Sequence, residues 1–421
     1  MTAEHRTDWA VVWVSLGAGI LAALQVGKAI VGLPSVRADL GMSLTLAGVL
    51  LSAYTYVGAA LGGAIGGVVD RIGQGRILVG SLAAFAVASA LGAVSPSTPL
   101  LVVSRILEGL GFMGAVVAAP ALVSRASGER HRSLAMGLWG IYMPGGQLMA
   151  MIIGPALLSW LGWRGLWAAN ALLLAGYAAV VAVVVGRSSF GRSSDGHSSA
   201  RPAPPVPPGA APSRWAGLRP VLPLALTFGL YSLQYLAVVG FLPTIYQAHG
   251  LSSGVAAFLT GVVIFGNIVG NVVAGALVHR GVEPGTLAAI ALAVMGLSAI
   301  VIYATWAPFP LTVASAVCFT TFGGLLPASI FAAVPRLAPS PALTGPANGL
   351  AVQVSNIGSI IGPPLVAAVA SWAGNWSFSP VVLSTAAAAG IVTALIVRQR
   401  GRQANTGAPA ALASSNAVEQ A

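Results

Sequence analysis

Three ionisable residues, Lys28, Arg105 and Glu108, sit inside long apolar runs of the sequence. A charge at the centre of a bilayer costs about 2.5–3.5 kcal/mol on insertion scales, so an intramembrane ionisable side chain is a functional candidate. Lys28 is the single lysine; every other basic residue is arginine, so the first apolar run has no need of a lysine merely to supply a surface charge. Gln25 lies one helical turn before it on the same face. The competing reading is that the lysine stem carries its ammonium up to the headgroups. Arg105 and Glu108 are spaced i,i+3 and therefore neighbour each other on one helix face, either as a packing ion pair or as groups that bind and couple. Glu108 is the one carboxylate well inside any run. Two cations and one anion leave a net +1, which suits a small monovalent anion or the carboxylate of an organic acid. Glu108 is then the group that could carry a coupled proton.

Neutral polar residues complete a candidate lining. Tyr231, Gln234 and Tyr235 share a face of the seventh run, Asn267 and Asn271 of the eighth, and Gln353 and Asn356 of the eleventh; Trp139 and Tyr142 lie in the fifth. Each is a ligand contact or interhelical glue, because amides and phenols in hydrocarbon must find partners. The candidate substrate-binding set is Gln25, Lys28, Arg105, Tyr142, Tyr231, Gln234, Tyr235, Asn267 and Asn356. Within it the Tyr231–Tyr235 group suits a small planar polar molecule. Pro144, Pro243 and Pro327 are expected to kink the helices around it. The sequence offers no nucleophile–base pair and no metal cluster: the one cysteine is Cys318 and the five histidines are scattered. It reads as a chain that is not an enzyme and needs no cofactor. It also lacks a Gly-x-x-x-x-Gly-Lys-Ser/Thr run, so the energy must come from a gradient or a partner chain.

The elements that position these residues follow from composition. Of 421 residues, 57% are apolar and only 7% charged, against about 25% charged in soluble domains. Runs long enough to cross a hydrocarbon core of about 30 Å fall at 9–33, 44–69, 77–94, 99–123, 134–158, 165–186, 221–246, 254–278, 286–305, 309–334, 345–371 and 379–397. The first is too long for the apolar core of a signal peptide and reads as a spanning helix. The Ser-, Pro- and Ala-rich stretch at 187–219 cannot bury enough apolar surface to fold and reads as a disordered linker. The expected organisation is a six-helix bundle at 1–186, that linker, a second six-helix bundle at 220–400 and an unfolded tail at 401–421.

Sixteen basic residues fall on the side of the linker and both termini; Arg37 and Arg164 alone fall on the other. By the positive-inside rule the linker side is cytoplasmic. The net charge of +11 is thus an orientation signal, and no nucleic-acid partner is implied. An internal echo points to duplication. Gly67-Val68-Val69-Asp70-Arg71 matches Ala276-Leu277-Val278-His279-Arg280, and Ile152-Ile153-Gly154-Pro155 matches Ile360-Ile361-Gly362-Pro363. Parallel repeats of this kind place a substrate site between the halves, near the midplane.

With these features the chain resembles the major facilitator superfamily of transporters. The stretch Gly66 to Arg76, with Asp70, Arg71 and Gly73, fits that family's Gly-x-x-x-Asp-Arg-x-Gly-x-x-Arg loop signature, and Arg105 to Gly111 fits its Arg-x-x-x-Gly-x-Gly motif. The resemblance implies an all-α membrane fold of twelve helices in two pseudo-symmetric bundles, with runs 1, 4, 7 and 10 lining a central cavity. It implies that Gly66, Asp70, Arg71, Gly73 and Arg76 form a conformational latch rather than a substrate site. Gln25 to Lys28, Gly137 to Gly140 with Trp163-Arg164-Gly165, and Phe228 to Tyr235 are similar to the cyanate-permease and nitroimidazole-transporter branch. The expectation is a monomeric secondary transporter of a bacterial inner membrane, working by alternating access on a small anion or organic acid, with protons a compatible coupling ion. The alternative is a proton-coupled efflux pump for drugs or neutral, amphipathic metabolites. Drug antiporters of the family carry Gly-Pro-x-x-Gly-Gly in run 5, whereas here Gly154-Pro155 is followed by Ala-Leu-Leu-Ser.

Overall fold

The computed structural model describes residues 7–62, 69, 71–188, 217–340 and 343–419, with side chains placed as far as residue 403. Every regular element in it is helical. Eleven of the described helices are long and apolar enough to cross a membrane. One of them, Tyr142–Arg187, has 46 residues, about 69 Å at 1.5 Å per residue and more than twice the hydrocarbon thickness. At Gly162 its backbone leaves the helical region (φ 65°, ψ −178°). The packing partners show that the chain reverses there. Before the break, Gly146 packs on Ile20 and Gly154 on Val31; after it, Trp163 bonds Asp39 and Tyr177 bonds Val14. Residues 142–161 therefore run parallel to the first helix and 163–187 antiparallel to it. They are spans 5 and 6, which makes twelve crossings.

The other spans are 1 (Trp9–Leu40), 2 (Leu44–Leu61), 3 (Gln74–Ala93), 4 (Thr98–Ala126), 7 (Leu222–Ala248), 8 (Ser253–His279), 9 (Pro284–Ile302), 10 (Phe309–Leu337), 11 (Thr344–Ala373) and 12 (Ser379–Gln403). Short helix Glu129–Trp139 leads into span 5. Asp8, Ser43 and Ser252 cap their helices by accepting from the backbone N–H of Val11, Leu46 and Val255, which satisfies donors that hydrocarbon cannot. Pro144 and Pro327 lie in the first turn of helices restarted after Gly140 and Gly324, where proline is tolerated, while Pro243 lies inside span 7. The last helix runs on to Glu419. That differs from the unfolded tail read at 401–421; the spanning helix supplies the nucleus for it, although Gly407 and Pro409 are poor helix formers. The linker read at 187–219 lies, from 189 to 216, outside the described residues.

The six positive-φ glycines of the described chain form three pairs: Gly41 with Gly250, Gly73 with Gly281, and Gly162 with Gly374. They end spans 1 and 7, precede spans 3 and 9, and follow spans 5 and 11. Each needs a left-handed conformation that a side chain would oppose. The duplication seen in two short echoes is thus written into the turns. The halves meet where spans 2 and 11 cross: a Cβ at Gly48 would lie 2.7 Å from the Pro363 carbonyl, and Gln353 Nε2 donates to Ala59 O at 2.7 Å. Spans 5 and 8 pack where Leu148 and Met151 meet Gly261. Apolar residues on the outside, such as Trp160 (80% exposed) and Leu172 (75%), face the lipid.

Candidate functional site

Lys28, Arg105 and Glu108 converge. All three are 0% exposed. The Lys28 Nζ donates to Glu108 Oε1 at 2.8 Å and to Ser89 Oγ of span 3 at 2.9 Å, and lies 4.8 Å from the centre of the Trp167 ring of span 6. The ammonium is held in the core of the N-terminal half and does not reach for the headgroups. Ser89 in turn donates to Trp167 O at 2.9 Å. Glu108 gives its second oxygen to Arg105 Nη1, which also donates to Gln25 O at 3.1 Å. One carboxylate thus bridges two cations, each desolvated, as buried charges require.

The two cations are not equally satisfied. Lys28 has a carboxylate, a hydroxyl and an aromatic face. Arg105 has Nε and Nη2 buried with no hydrogen-bond partner among the described residues. Those two nitrogens form the side edge of the guanidinium, the fork that matches a carboxylate. The Tyr54 ring of span 2 lies 5.6 Å from the guanidinium carbon and packs edge-on against Phe112 at 5.1 Å. Gln25 does not bind Lys28: its Nε2 donates to Asn170 Oδ1 of span 6 at 3.0 Å.

A second group of polar residues lies toward and across the seam of the halves. Tyr235 of span 7 donates to Gln147 Oε1 of span 5 at 3.1 Å. Trp139 and Tyr142 stack at 4.4 Å, and Tyr231 lies 5.6 Å from Tyr235 and 6.0 Å from Phe228. Asn356 packs against Gly58 of span 2. Other candidates hold one half together. Asn267 Nδ2 donates to Thr320 O at 3.3 Å and to Tyr231 Oη at 3.4 Å, and Asn271 donates to Asn267. Gln234 donates to Leu230 O within its own helix.

Sequence reasoning missed Tyr54, Ser89, Gln147 and Trp167. Ser89 and Gln147 had a signal, as polar side chains in otherwise apolar runs; Tyr54 and Trp167 gain their meaning only from the cations beside them. A crevice of about 220 Å³ between spans 1, 5 and 6 touches Lys28 and Asn170 but is walled by Leu24, Val31, Ile153 and Leu173. It faces lipid and is not the seam. Of the latch residues, Arg71 and Arg76 are exposed and Gly73 (φ 96°) caps span 3; Gly66 and Asp70 lie outside the described residues.

The sequence profile of the Major Facilitator Superfamily matches residues 15–340 and 224–418. The chain belongs to the Major Facilitator Superfamily. Curated relatives include the puromycin resistance protein pur8 of Streptomyces alboniger (34% identical over 165 residues, 38% of this chain and 32% of that one). Myo-inositol transporter 3A of Cryptococcus neoformans var. grubii is 33% identical over 177 residues, 40% of this chain and 30% of that one. The inner membrane transport protein YajR of Escherichia coli is 31% identical over 192 residues, 44% of this chain and 40% of that one. The matched stretch spans only about a third of the length of these relatives. Among solved structures, a bacterial homologue of the human lysosomal transporter Spinster, in an inward-facing and unoccupied conformation, superposes with a TM-score of 0.69. It covers 96% of this chain and 97% of that one at 16% identity, a likeness of fold. A multi-pass Major Facilitator fold accounts for the paired turns and for a seam lined from both halves.

Proposed function

We propose that this chain is a secondary transporter that carries a small organic acid or comparable monovalent anion across a bacterial inner membrane by alternating access, its termini cytoplasmic. The observation that carries this reading is the idle fork of Arg105, two adjacent buried donors within a cluster whose net charge is +1. A buried unpaired donor costs about 1–3 kcal/mol, more when charged, and a carboxylate would fill both at once. The body of the substrate would lie against Tyr54, Tyr142 and Tyr235. Of the two cations in the candidate set, Arg105 is then the anchor, and Lys28 holds Glu108 in place. Glu108, shared by both cations, is the coupling group in this reading. The cyanate-permease branch fits such a substrate.

The test is a ligand-induced melting screen on purified protein, with small carboxylates and inorganic anions against neutral and cationic amphipaths. A ligand at 100 times its Kd adds about 2.7 kcal/mol of stability. Arg105→Gln combined with Glu108→Gln leaves the buried net charge at +1 on Lys28 but removes the fork. Loss of anion stabilisation in that variant supports the fork; retention at wild-type affinity sinks it.

A second reading, efflux of neutral or amphipathic compounds, draws on the aromatic seam of Trp139, Tyr142, Tyr231 and Tyr235 and on the puromycin resistance relative. Stabilisation by neutral or cationic amphipaths alone would put it in place of the first.

A further inference from the structure

Away from the buried cluster, at the end of the molecule that carries the turns 1–2 and 7–8, a cavity of about 280 Å³ lies between the halves. Its walls are Pro34, Arg37 and Ala38 of span 1 and Thr244 and Gln247 of span 7. The order of the spans puts three charged side chains of the whole sequence at this end, Arg37, Asp39 and Arg164. Asp39 is already taken: its Oδ2 accepts from Arg164 Nη1 and, at 3.0 Å, from Trp163 Nε1. Asp39 is two residues from Arg37 and so points away from it on the helix. Arg37 forms no ion pair among the described residues; its Nε caps the helix end by donating to Met42 O at 3.3 Å. Arg37 is half-buried and lines the cavity. Across from it, Thr244 Oγ1 is buried with no partner among the described residues. The aromatic and imidazole groups nearby, Tyr246, His249 and Phe309, pack on one another.

We propose that this cavity is an anion site bridging the halves, in which a small monovalent anion or a carboxylate, held by Arg37 and by Thr244 and Gln247, ties the ends of spans 1 and 7 together. An uncompensated guanidinium on one wall and an unused hydroxyl and an amide on the other are complementary to one shared acceptor. Because the walls belong to different halves, the ligand binds well only while this end is closed. It then shifts the open–closed equilibrium by its differential affinity: at 100 times its Kd for the closed form, the closed-to-open ratio rises about a hundredfold. The site is a clamp on the seam rather than a second copy of the Arg105 fork, and it stands without it.

The test uses full-length protein with Cys318→Ser and spin labels at Ser97→Cys and Ser377→Cys. These positions are exposed turns at this end, one in each half and outside the cavity. Distance distributions between the labels are recorded while sodium formate or sodium chloride is titrated. The expected result is a growing short-distance population in the wild-type background. Its half-saturation should move at least tenfold higher in Arg37→Ala and a few-fold higher in Thr244→Val, while Arg37→Lys keeps most of the response. An unchanged distribution in the wild-type background, or the same titration in Arg37→Ala, overturns the proposal. A response to both anions names any small external anion as occupant, and a response to formate alone names a carboxylate; each keeps the clamp. Arg105→Gln should leave the titration intact, so failure here and failure of the Arg105 reading are told apart.

Discussion

The two halves share their turns but not their interiors. Gly41, Gly73 and Gly162 recur as Gly250, Gly281 and Gly374, so the backbone path is duplicated. The N-terminal half is centred on Lys28, Glu108 and Arg105. Counted 209 residues on, their places in the C-terminal half fall to Ala237, Val317 and Ala314. That half is joined by neutral groups instead: Thr227 to Thr393 at 2.7 Å, Ser232 to Ser355 at 2.6 Å, and Asn267 to Thr320 and Tyr231. Neutral hydroxyl and amide pairs can exchange donor for acceptor without changing the net charge. A carboxylate shared by two cations has several charge arrangements, because a proton or a second anion changes which cation it must balance. The comparison teaches that duplication supplied the frame and that, among the described residues, the N-terminal half alone acquired a buried charge cluster. In the proposed transport cycle the C-terminal half is the wall and the N-terminal half the responsive element.

The comparison can be broken most decisively at Glu108. Glu108→Ala leaves two uncompensated buried cations and should cost about 3–5 kcal/mol, read as a lowered unfolding midpoint in detergent. If it is no worse than changes in the neutral half, the asymmetry carries no energetic weight. Next are the glycines of the repeated Ile-Ile-Gly-Pro. At Gly362 a Cβ would lie 2.1 Å from the Leu233 backbone oxygen, but at Gly154 it would meet the Val31 side chain at 2.7 Å. Overpacking costs about 1–3 kcal/mol, and Gly362→Ala should fall at the upper end because backbone cannot rotate away. Gly154→Ala should fall at the lower end, and equal losses by thermal unfolding would show that the spans yield alike. Asn267→Leu strips partners from Tyr231 and Asn271 and should cost about 1–3 kcal/mol, less than Glu108→Ala in the same assay. The smallest effect belongs to Tyr235→Phe, which removes the hydrogen bond to Gln147 across the seam. It should change stability by about 0.5–1.5 kcal/mol and is better read as a shift in the Ser97–Ser377 label distances toward the separated form.

What the sequence by itself determined is whatever the bilayer demands of each segment separately. Hydrocarbon thickness sets the length of an apolar run, so twelve crossings were countable even where Gly162 hides inside one long helix. The expense of intramembrane charge singled out Lys28, Arg105 and Glu108, and the i,i+3 spacing paired the last two. The repeat offsets announced two halves. Tertiary structure decided the partners, because these depend on how helices distant in sequence are rotated and how deep they sit against one another. Lys28 could have turned to lipid headgroups or to the seam; Glu108, Ser89 and Trp167, from three other spans, draw it into the core. Gln25, read as a companion of Lys28, is turned to Asn170 instead. The idle edge of Arg105 exists because Glu108 and Gln25 reach only its Nη1. Arg37 reads in the sequence as a plain topology signal, and it becomes half of a cavity wall because span 7 brings Thr244 and Gln247 to face it.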